Sequence, residues 1–484
     1  MAGECSQCKS GRLQLRTESP SVRTHDPQGQ APLHPQFPAP SAHIPALQTA
    51  STRLASRLLH WLHIESMSGI VLMLAAAIAL GWANSPWADN YFATWHAPLA
   101  FTLGPWSWST DLHFFVNDVL MTLFFLVVGM EIRREMHNGA LSNVRQATLP
   151  LVAAVGGVVV PALIYLAIAG HDPALRNGWA IPTATDIAFA VGVLALLGKS
   201  IPAPLRIFLL AVAIIDDIVA VLIIAFFYSG GLDYSGFAVA LAGLALVVLF
   251  NRMGIASAWA YALPGAVLWL GLLQTGAHPT LAGVVLGLMT PVVMRPAQRH
   301  HLEVAQQALA RIRIQAQHGQ FDADVLHDTL RTASAAQRDL LPPVFRLPMR
   351  LHPWVAFGVM PIFALANAGV QFGGVDLTTA GPHTVAWGVL VALVLGKPVG
   401  VLLATLGAVK TGLCSLPQGV NWHGVVLVGL LAGIGFTMAI FVGGLAFADT
   451  ALLGAAKMGI LGASATAAVL GLIYGFMVRN KLAH

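Results

Sequence analysis

Two adjacent acids, Asp216 and Asp217, lie within the apolar run AVAIIDDIVAVLII. Neighbouring residues of a helix point about 100° apart, so one carboxylate can face a water-filled cavity while the other faces a packed partner. Two neighbouring carboxylates in a low-dielectric setting resist double ionisation, and a proton or a monovalent cation relieves that cost. The alternative is a pair held in salt bridges. Only one intramembrane lysine of similar depth is visible, Lys397, and it can satisfy only one of the acids.

Three further acids, Asp118, Glu131 and Asp186, also lie within or at the ends of apolar runs. A charge at membrane depth costs at least about 2.5 kcal/mol, so each of these acids is a candidate functional residue. Asp186 belongs to AIPTATDIAFAVG, where Pro182 and two threonines interrupt the apolar run. Proline removes a backbone hydrogen bond and leaves carbonyl oxygens that need other partners. The pattern therefore favours a broken helix beside Asp186.

A similar interruption, AGIGFT, occurs near the end of the chain and contains Gly433 and Gly435. Glycines in membrane helices are more often packing surfaces than breaks. Because another span of this chain is interrupted beside an acid, we interpret this one as a break as well. Two broken spans, one in each half of the chain, are typical of inverted-repeat transporters. In these proteins the broken helices cross near the middle of the membrane and form the ion site.

The composition excludes the soluble classes of protein. Apolar residues make up 56% of the 484 residues and charged residues only 10%, against about 25% in soluble domains. The mean hydropathy is +0.72 and the isoelectric point about 9.3. The basic residues are scattered between apolar runs, which argues against a nucleic-acid surface. The three cysteines, Cys5, Cys8 and Cys414, cannot form a disulfide framework, and a metal site at Cys5 and Cys8 lacks a second cysteine pair.

The apolar runs that hold these residues predict an all-α polytopic membrane protein with about twelve transmembrane helices. Connections that carry lysine or arginine alternate with connections that are almost bare of them. The positive-inside rule then predicts that both termini are cytoplasmic. No GxxxxGK[ST] phosphate-binding motif is present, so we expect a transporter driven by an ion gradient, with no ATP, no cofactor and no enzymatic activity.

Three segments outside the spans carry separate predictions. Residues 1–50 are rich in proline and lack an apolar run, which predicts a disordered cytoplasmic tail before a membrane domain over 51–484. Residues 91–110 alternate in part around Gly104-Pro105, which favours a small extracellular β-hairpin or, equally, an interfacial aromatic belt. The loop over 295–351 is hydrophilic, and its stretches Glu303–Gln317 and Asp322–Leu341 predict two short cytoplasmic helices.

From about Glu65 to Leu482 the sequence resembles the NhaA family of sodium/proton antiporters. Eight blocks in the same order carry the resemblance: FFLVVGMEIRRE (124–135), AIPTATDIAFAVGVL (180–194), AIIDDIVAV (213–221), GAHPTLAGV (276–284), LHPWVAF (351–357), FALANAGV (363–370), GKPVG (396–400) and GIGFTMAIF (433–441). This family is itself among the examples behind the inverted-repeat rule, so the two inferences are not independent.

The resemblance implies roles for individual residues. Asp216 and Asp217 are implied to bind the ion and the protons, with Thr185 and Asp186 of the first broken helix facing them. Lys397 is implied to balance the helix ends and to pair with Asp216. Glu131 is implied to line the cytoplasmic ion funnel, and Asp118 also has a family counterpart, which we group with the funnel and the pH response. The resemblance further implies a bacterial inner-membrane location and a homodimer formed through the 91–110 hairpin.

These roles predict an electrogenic exchanger of sodium or lithium for about two protons, with the cation bound by Asp217, Asp216 and Thr185. The closest alternative is a sodium-coupled symporter on the same fold. A cation channel would need filter loops, and none appear. An intramembrane protease would need paired catalytic residues, whereas His278 and His352 lie at span ends beside prolines.

The sequence departs from the best-known family pattern just before His352. Pro348 and Met349 stand there in the places of an acid and a histidine. That region contributes to pH activation in the family, so the pH response of this chain is expected to differ.

Overall fold

The computed structural model describes residues 65–482, apart from 105, 140, 143, 199–200, 230–232, 256, 293–302, 305, 309, 313, 315–322, 341 and 418. The predicted tail over 1–50 lies outside the described residues, as do the start of the 295–351 loop and the Pro105 of the predicted hairpin turn. Of the predicted helix Glu303–Gln317, the described residues between 303 and 314 are helical.

The described part of the chain is mostly helical. Its principal elements are α1 (Glu65–Ala83), α2 (Ala88–Trp95), β1 (Pro98–Leu103), β2 (Trp106–Asp111), α3 (Leu112–His137), α4 (Val144–Ala169), α5 (Pro173–Thr183), α6 (Ile187–Leu196), α7 (Ala203–Phe227), α8 (Tyr234–Met253), α9 (Ala262–Thr275), α10 (Leu281–Leu288), α11 (Ala323–Leu340), α12 (Pro343–Asn367), α13 (Ala380–Lys410), α14 (Trp422–Ala432), α15 (Phe436–Ala446) and α16 (Thr450–Leu482).

Among the described residues, seven helices are long and apolar enough to cross a membrane: α3, α4, α7, α8, α12, α13 and α16. The number rises to ten if three bent helix pairs each form one span. Large apolar side chains such as Leu163 and Phe226 are 59% and 78% exposed, which suits a surface that faces hydrocarbon. The chain is therefore a multi-pass membrane protein.

Helix α7, which carries Asp216 and Asp217, is the most enclosed of the seven spans. In its most apolar 18-residue window 72% of the residues are buried, against 22–50% in the other six. Isoleucine, valine and leucine occur on every face of this helix. A helix that is apolar all round suits a position enclosed by other helices. Any ion that reaches the two acids must therefore enter through the protein interior.

In the part of the chain that the structure describes, three spans contain a π-helical segment, in which one extra residue changes the direction of the side chains that follow. The segments are Phe115–Leu120 in α3, Val355–Val359 in α12 and Ala392–Gly396 in α13. The third ends immediately before Lys397, and the first contains Asp118. Two of the ionisable residues singled out from the sequence thus lie at interruptions of regular α-helix.

The region after α1 differs from its predicted boundaries. Residues 88–95 form α2 rather than strand, and the Tyr91 hydroxyl donates to the carbonyl oxygens of Leu365 at 2.8 Å and Ala366 at 3.1 Å. The strands begin only at Pro98 and pair antiparallel, with Leu103 opposite Trp106. Gly104 has φ of 61°, a left-handed value that glycine adopts without steric cost. Alternation of apolar residues alone does not reveal that Tyr91 docks on another helix.

The boundary between the 295–351 loop and the span that follows it also differs from the prediction. Helix α11 matches the predicted Asp322–Leu341 closely, but α12 starts at Pro343, well before the apolar run begins. Pro348 and Met349 thus lie inside a helix that continues into a span, with Pro348 buried and Met349 62% exposed. The first turns of α12 contain Arg346 and Arg350, which lower the hydropathy there. Hydropathy alone therefore places the start of α12 too late.

Helices α4 and α13 approach each other closely through Gly156 and Gly400. A Cβ atom added at Gly400 would overlap the backbone carbonyl oxygen of Gly156. Gly407, on the same helix, has nothing within 4 Å of such an atom. We expect Gly400→Ala to lower the stability by about 1–3 kcal/mol through overpacking, measured as a lower Tm in detergent. Gly407→Ala is the matched control and is expected to leave the Tm unchanged or raise it, since alanine favours helix. Equal Tm values for the two variants would contradict the close approach.

Candidate functional site

The first predicted break, beside Asp186, is confirmed. Helix α5 ends in a 3₁₀ turn, Asn177–Thr183, that contains Pro182, and its axis makes an angle of 47° with that of α6. Asp186 is the N-cap of α6, and its Oδ1 accepts a hydrogen bond from the backbone N–H of Phe189 at 3.0 Å. Proline prevents a continuous helix here, and the acid satisfies one of the N–H groups that the new helix end leaves open.

The second predicted break, at Gly433 and Gly435, is confirmed as well, with 45° between α14 and α15. A Cβ atom at Gly433 would lie 2.8 Å from the carbonyl oxygen of Leu393, and one at Gly435 would lie 3.2 Å from that of Ala184. The second distance joins the two breaks, so these glycines let the interrupted backbones approach each other.

Asp186 connects the two breaks. Its backbone N–H donates to the carbonyl oxygen of Ile434 at 2.7 Å. Its carboxylate Oδ2 accepts from the backbone N–H of Thr437 at 3.1 Å and from the Thr437 hydroxyl. The side chain is 1% exposed. One carboxylate therefore caps the N-terminal ends of both α6 and α15, where a negative charge is favoured by the helix dipoles.

Asp216 is held by a lysine and a threonine. Its Oδ2 lies 2.5 Å from the Lys397 Nζ and 2.7 Å from the Thr185 Oγ1. Lys397 also donates to the Thr185 Oγ1 at 2.5 Å, and Thr185 lies 3.0 Å from the carbonyl oxygen of Ala432 at the end of α14. All three side chains are at most 1% exposed. The pairing of Lys397 with Asp216 that the resemblance implied is therefore present in the geometry.

Asp217 has a different environment on the same helix. It is 3% exposed, and its Oδ1 has no hydrogen-bond partner among the described residues. The charges of Asp216, Glu131 and Asp186 all act on it, and the compensating charge of Lys397 is held by Asp216. A buried carboxylate oxygen without a partner is costly. A proton or a hard cation that prefers oxygen ligands would remove that cost at Asp217.

Thr185 has contacts beyond those expected. We predicted that Thr185, Asp216 and Asp217 together bind a cation; the Thr185 hydroxyl does lie against Asp216, and it also contacts Lys397 and Ala432. The Oδ1 of Asp216 is the second buried carboxylate oxygen without a partner among the described residues. The geometry therefore offers the two Oδ1 atoms of Asp216 and Asp217 as open ligands, while Thr185 orients the Lys397–Asp216 pair.

Glu131 and Asp118 do not lie together, contrary to our grouping of both at the cytoplasmic funnel. They are 13 positions apart on α3, or about 20 Å along its axis. Glu131 is half-buried and close enough for its charge to act on Asp217. Asp118 lies toward the end of α3 that follows β2, with its Oδ1 3.6 Å from the Nδ1 of His278. The separation of the two acids in the sequence already places them toward opposite ends of the span.

Sequence reasoning missed three residues. Thr437 binds Asp186, and the signal was available, since both interrupted motifs contain a threonine. His278, which the sequence places at a span end beside a proline, lies with its Nδ1 3.6 Å from the Oδ1 of Asp118. Lys457 is a second lysine inside an apolar helix, α16, and its charge acts on His113 of α3. It lies far along the chain from Asp216, whose lysine contact among the described residues is Lys397.

Comparison with known proteins agrees with this geometry. The profile of the family described as "Na+/H+ antiporter 1" matches residues 59–474. The chain is 61% identical over 443 residues to the Na(+)/H(+) antiporter NhaA of Janthinobacterium sp. (strain Marseille), covering 92% of this chain and 98% of that protein. It is 59% identical over 434 residues to the Na(+)/H(+) antiporter NhaA of Cupriavidus necator, covering 90% of this chain and 92% of that protein. It is 54% identical over 439 residues to the Na(+)/H(+) antiporter NhaA of Bartonella bacilliformis, covering 90% of this chain and 96% of that protein. A chain with these matches and with two interrupted helices that contact each other beside buried acids belongs to the NhaA family of Na⁺/H⁺ antiporters.

Proposed function

We propose that this chain is a secondary active transporter that exports cytoplasmic Na⁺ or Li⁺ in exchange for external protons and so contributes to pH and sodium homeostasis. The observation that carries the proposal is Asp217, a buried acid whose Oδ1 has no described partner and whose acidic neighbours exceed the cationic charge beside it. Such a site favours either a proton or a monovalent cation and disfavours both together. That competition is the basis of exchange. The relatives named as Na(+)/H(+) antiporters support the assignment.

The proposed cation ligands are the carboxylates of Asp217 and Asp216 with nearby carbonyl oxygens, and Thr185 positions Asp216. A cation that enters from the cytoplasm needs Asp217 ionised, so it displaces protons. Release of the cation outside restores the negative charge, and protons bind again. No cofactor other than the transported ions is part of this scheme, and the ion gradients drive it.

We propose a stoichiometry of about two protons for each cation, because both Asp217 and the Asp216–Lys397 pair can change protonation. One net charge then crosses the membrane in each cycle. At about 2.3 kcal/mol per charge for every 100 mV, the membrane potential would help to drive sodium out. A sodium-coupled symporter on the same fold would share the ion site but would need a second, organic substrate.

The proposal is tested with purified protein in liposomes that contain a pH-sensitive dye. We expect a sodium or lithium gradient to drive proton movement in the opposite direction, with no added organic substrate, and an imposed membrane potential to change the rate. Potassium at the same concentration is the control. Proton movement that needs an organic substrate would favour the symporter, and exchange that ignores the membrane potential would contradict the electrogenic stoichiometry.

The proposed arrangement in the membrane has twelve spans, which adds the shorter helices α9 and α10 to the ten candidates above, and two inverted repeats. We propose that both termini and the 295–351 loop are cytoplasmic, since the connections with lysine and arginine lie on that side. The strands β1 and β2 would then be extracellular and would form the contact of a homodimer. The protein would reside in the bacterial inner membrane.

Glu131 is proposed to concentrate cations near the entrance to Asp217 rather than to bind them tightly, since it is only half-buried. We expect Glu131→Gln to raise the KM for sodium several-fold, or to shift the pH profile of exchange, with a smaller effect on the maximal rate. The measurement is the exchange rate against sodium concentration at several pH values. The matched control is Glu303→Gln, an exposed acid distant from the spans in sequence. A KM and a pH profile equal to those of the wild type would exclude a role of Glu131 in ion entry.

A further inference from the structure

A groove of about 710 Å³ lies beside the two broken helices. Apolar side chains of α4 form one wall, and the ends of α5, α7 and α15 form the others. The residues that matter for its chemistry are Val159, Leu163, Trp179, Phe227, Tyr228 and Arg176. Leu163 is 59% exposed and Phe227 66% exposed, so the groove opens on the outer surface of the protein rather than into the ion site.

Arg176 is the cationic group of this groove. It is the only lysine or arginine in the connections that we assign to the extracellular side, all of which are otherwise bare of basic residues. Its side chain is exposed, and among the described residues no carboxylate forms an ion pair with it. A guanidinium group presents several N–H donors in a plane that match two oxygens of a phosphate.

The aromatic residues around Arg176 are held in place. Trp179 packs edge-on against Phe227, with 5.3 Å between ring centroids and 83° between ring planes. The Tyr228 hydroxyl donates to the carbonyl oxygen of Asn177 at 2.5 Å, which connects the end of α7 to the residue after Arg176. Tryptophan and tyrosine with an apolar body and a polar tip are typical of the headgroup level of a bilayer. The rim of the groove is thus a fixed polar edge above an apolar wall.

We propose that this groove binds one phospholipid with an anionic headgroup, with the phosphate at Arg176 and an acyl chain along Val159 and Leu163. Charge complementarity carries the choice of ligand, because a guanidinium without an ion pair to any described residue and an apolar wall together match an anionic amphiphile. Free phosphate would leave the wall uncovered. The groove also touches the ends of both broken helices that point away from Asp186, so the lipid contacts the elements that form the ion site.

The test uses the full chain, purified and depleted of lipid, with phosphatidylglycerol or phosphatidylcholine of identical acyl chains added back. We expect phosphatidylglycerol to raise the Tm more than phosphatidylcholine, and native mass spectrometry to detect one retained phosphatidylglycerol. Arg176→Gln should lose both the retained lipid and the difference between the two lipids. The matched control is Arg206→Gln, which removes an exposed arginine from the opposite end of α7 and should behave as the wild type.

A second variant, Leu163→Trp, places a larger apolar side chain in the groove without changing its charge. It should reduce the retention of phosphatidylglycerol, and because Leu163 is exposed, the position tolerates the larger side chain.

Three results would overturn the proposal. One is an equal effect of the two lipids on the wild type, and another is the same loss in Arg176→Gln and Arg206→Gln. The third is protection by inorganic phosphate as strong as that by phosphatidylglycerol. If Arg176→Gln instead changes the molecular mass in detergent from dimer to monomer, the occupant is a second copy of the chain.

Discussion

Replacing Asp217 with Asn is expected to reduce sodium-driven proton movement to the background of vesicles that lack the protein. Asparagine keeps the size of the side chain but cannot release a proton or carry the negative charge that attracts a cation. Because the Oδ1 of Asp217 accepts no hydrogen bond from the described residues, the substitution removes none at that atom, and we expect the variant to fold and insert normally. The measurement is the pH change on addition of sodium or lithium chloride to everted vesicles.

Asp233→Asn is the matched control for this experiment. Asp233 is an exposed N-cap of α8, where asparagine serves as well as aspartate, so this variant should exchange ions as the wild type does. Expression and Tm of both variants are measured together with the exchange rate. Sodium-induced proton release of wild-type size in Asp217→Asn would show that the exchanged protons reside elsewhere.

The second large effect is expected at Lys397. Its ammonium group is completely buried, and the Nζ lies 2.5 Å from the Oδ2 of Asp216. Lys397→Ala removes the partner of a buried carboxylate and leaves a cavity, and breaking such a pair costs about 3–5 kcal/mol in soluble proteins. We expect a clearly lower Tm in detergent. Asp216→Asn in the same chain should recover part of the loss, because the remaining group is then neutral.

The comparison of the single and double variants measures the coupling directly. The two losses should be strongly non-additive, since residues in direct contact share one interaction. Lys410→Ala, an exposed lysine at the end of the same helix, should leave the Tm unchanged. Additive losses in the cycle would mean that Lys397 and Asp216 stabilise the protein independently, and the distance between them would then carry no energetic meaning.

The positions of the breaks and of the buried acids could be predicted from local sequence. Proline in a span and a carboxylate among isoleucines are each costly in a bilayer, so their presence indicates a special role wherever they occur. The same argument could not give the partner of Thr185. Lys397 and Ala432 lie 212 and 247 positions after Thr185 in the chain. Nothing in the sequence around Thr185 specifies which distant segments it meets.

Asp118 shows a second limit of sequence reasoning. Its span also contains Glu131, and the positions of the two acids in the run place them toward opposite ends, but a hydropathy pattern does not give the helix that either acid faces. The structure places the Oδ1 of Asp118 3.6 Å from the Nδ1 of His278, in the turn before α10. The late start predicted for α12 has a different origin, because a helix that begins outside the apolar run leaves no hydropathy signal for its first turns.

The contacts at the crossing of the broken helices have a mechanical consequence. The backbone of Asp186 is joined to Ile434, its carboxylate to Thr437, and Thr185 to Ala432. All of these groups are buried, where a broken hydrogen bond has no water to replace it. The interrupted helices α5–α6 and α14–α15 therefore cannot slide or rotate against each other without leaving several hydrogen-bonding groups unsatisfied at once. We expect the two to move as one rigid body, so the hinge of the transport cycle is expected at their contacts with the surrounding spans.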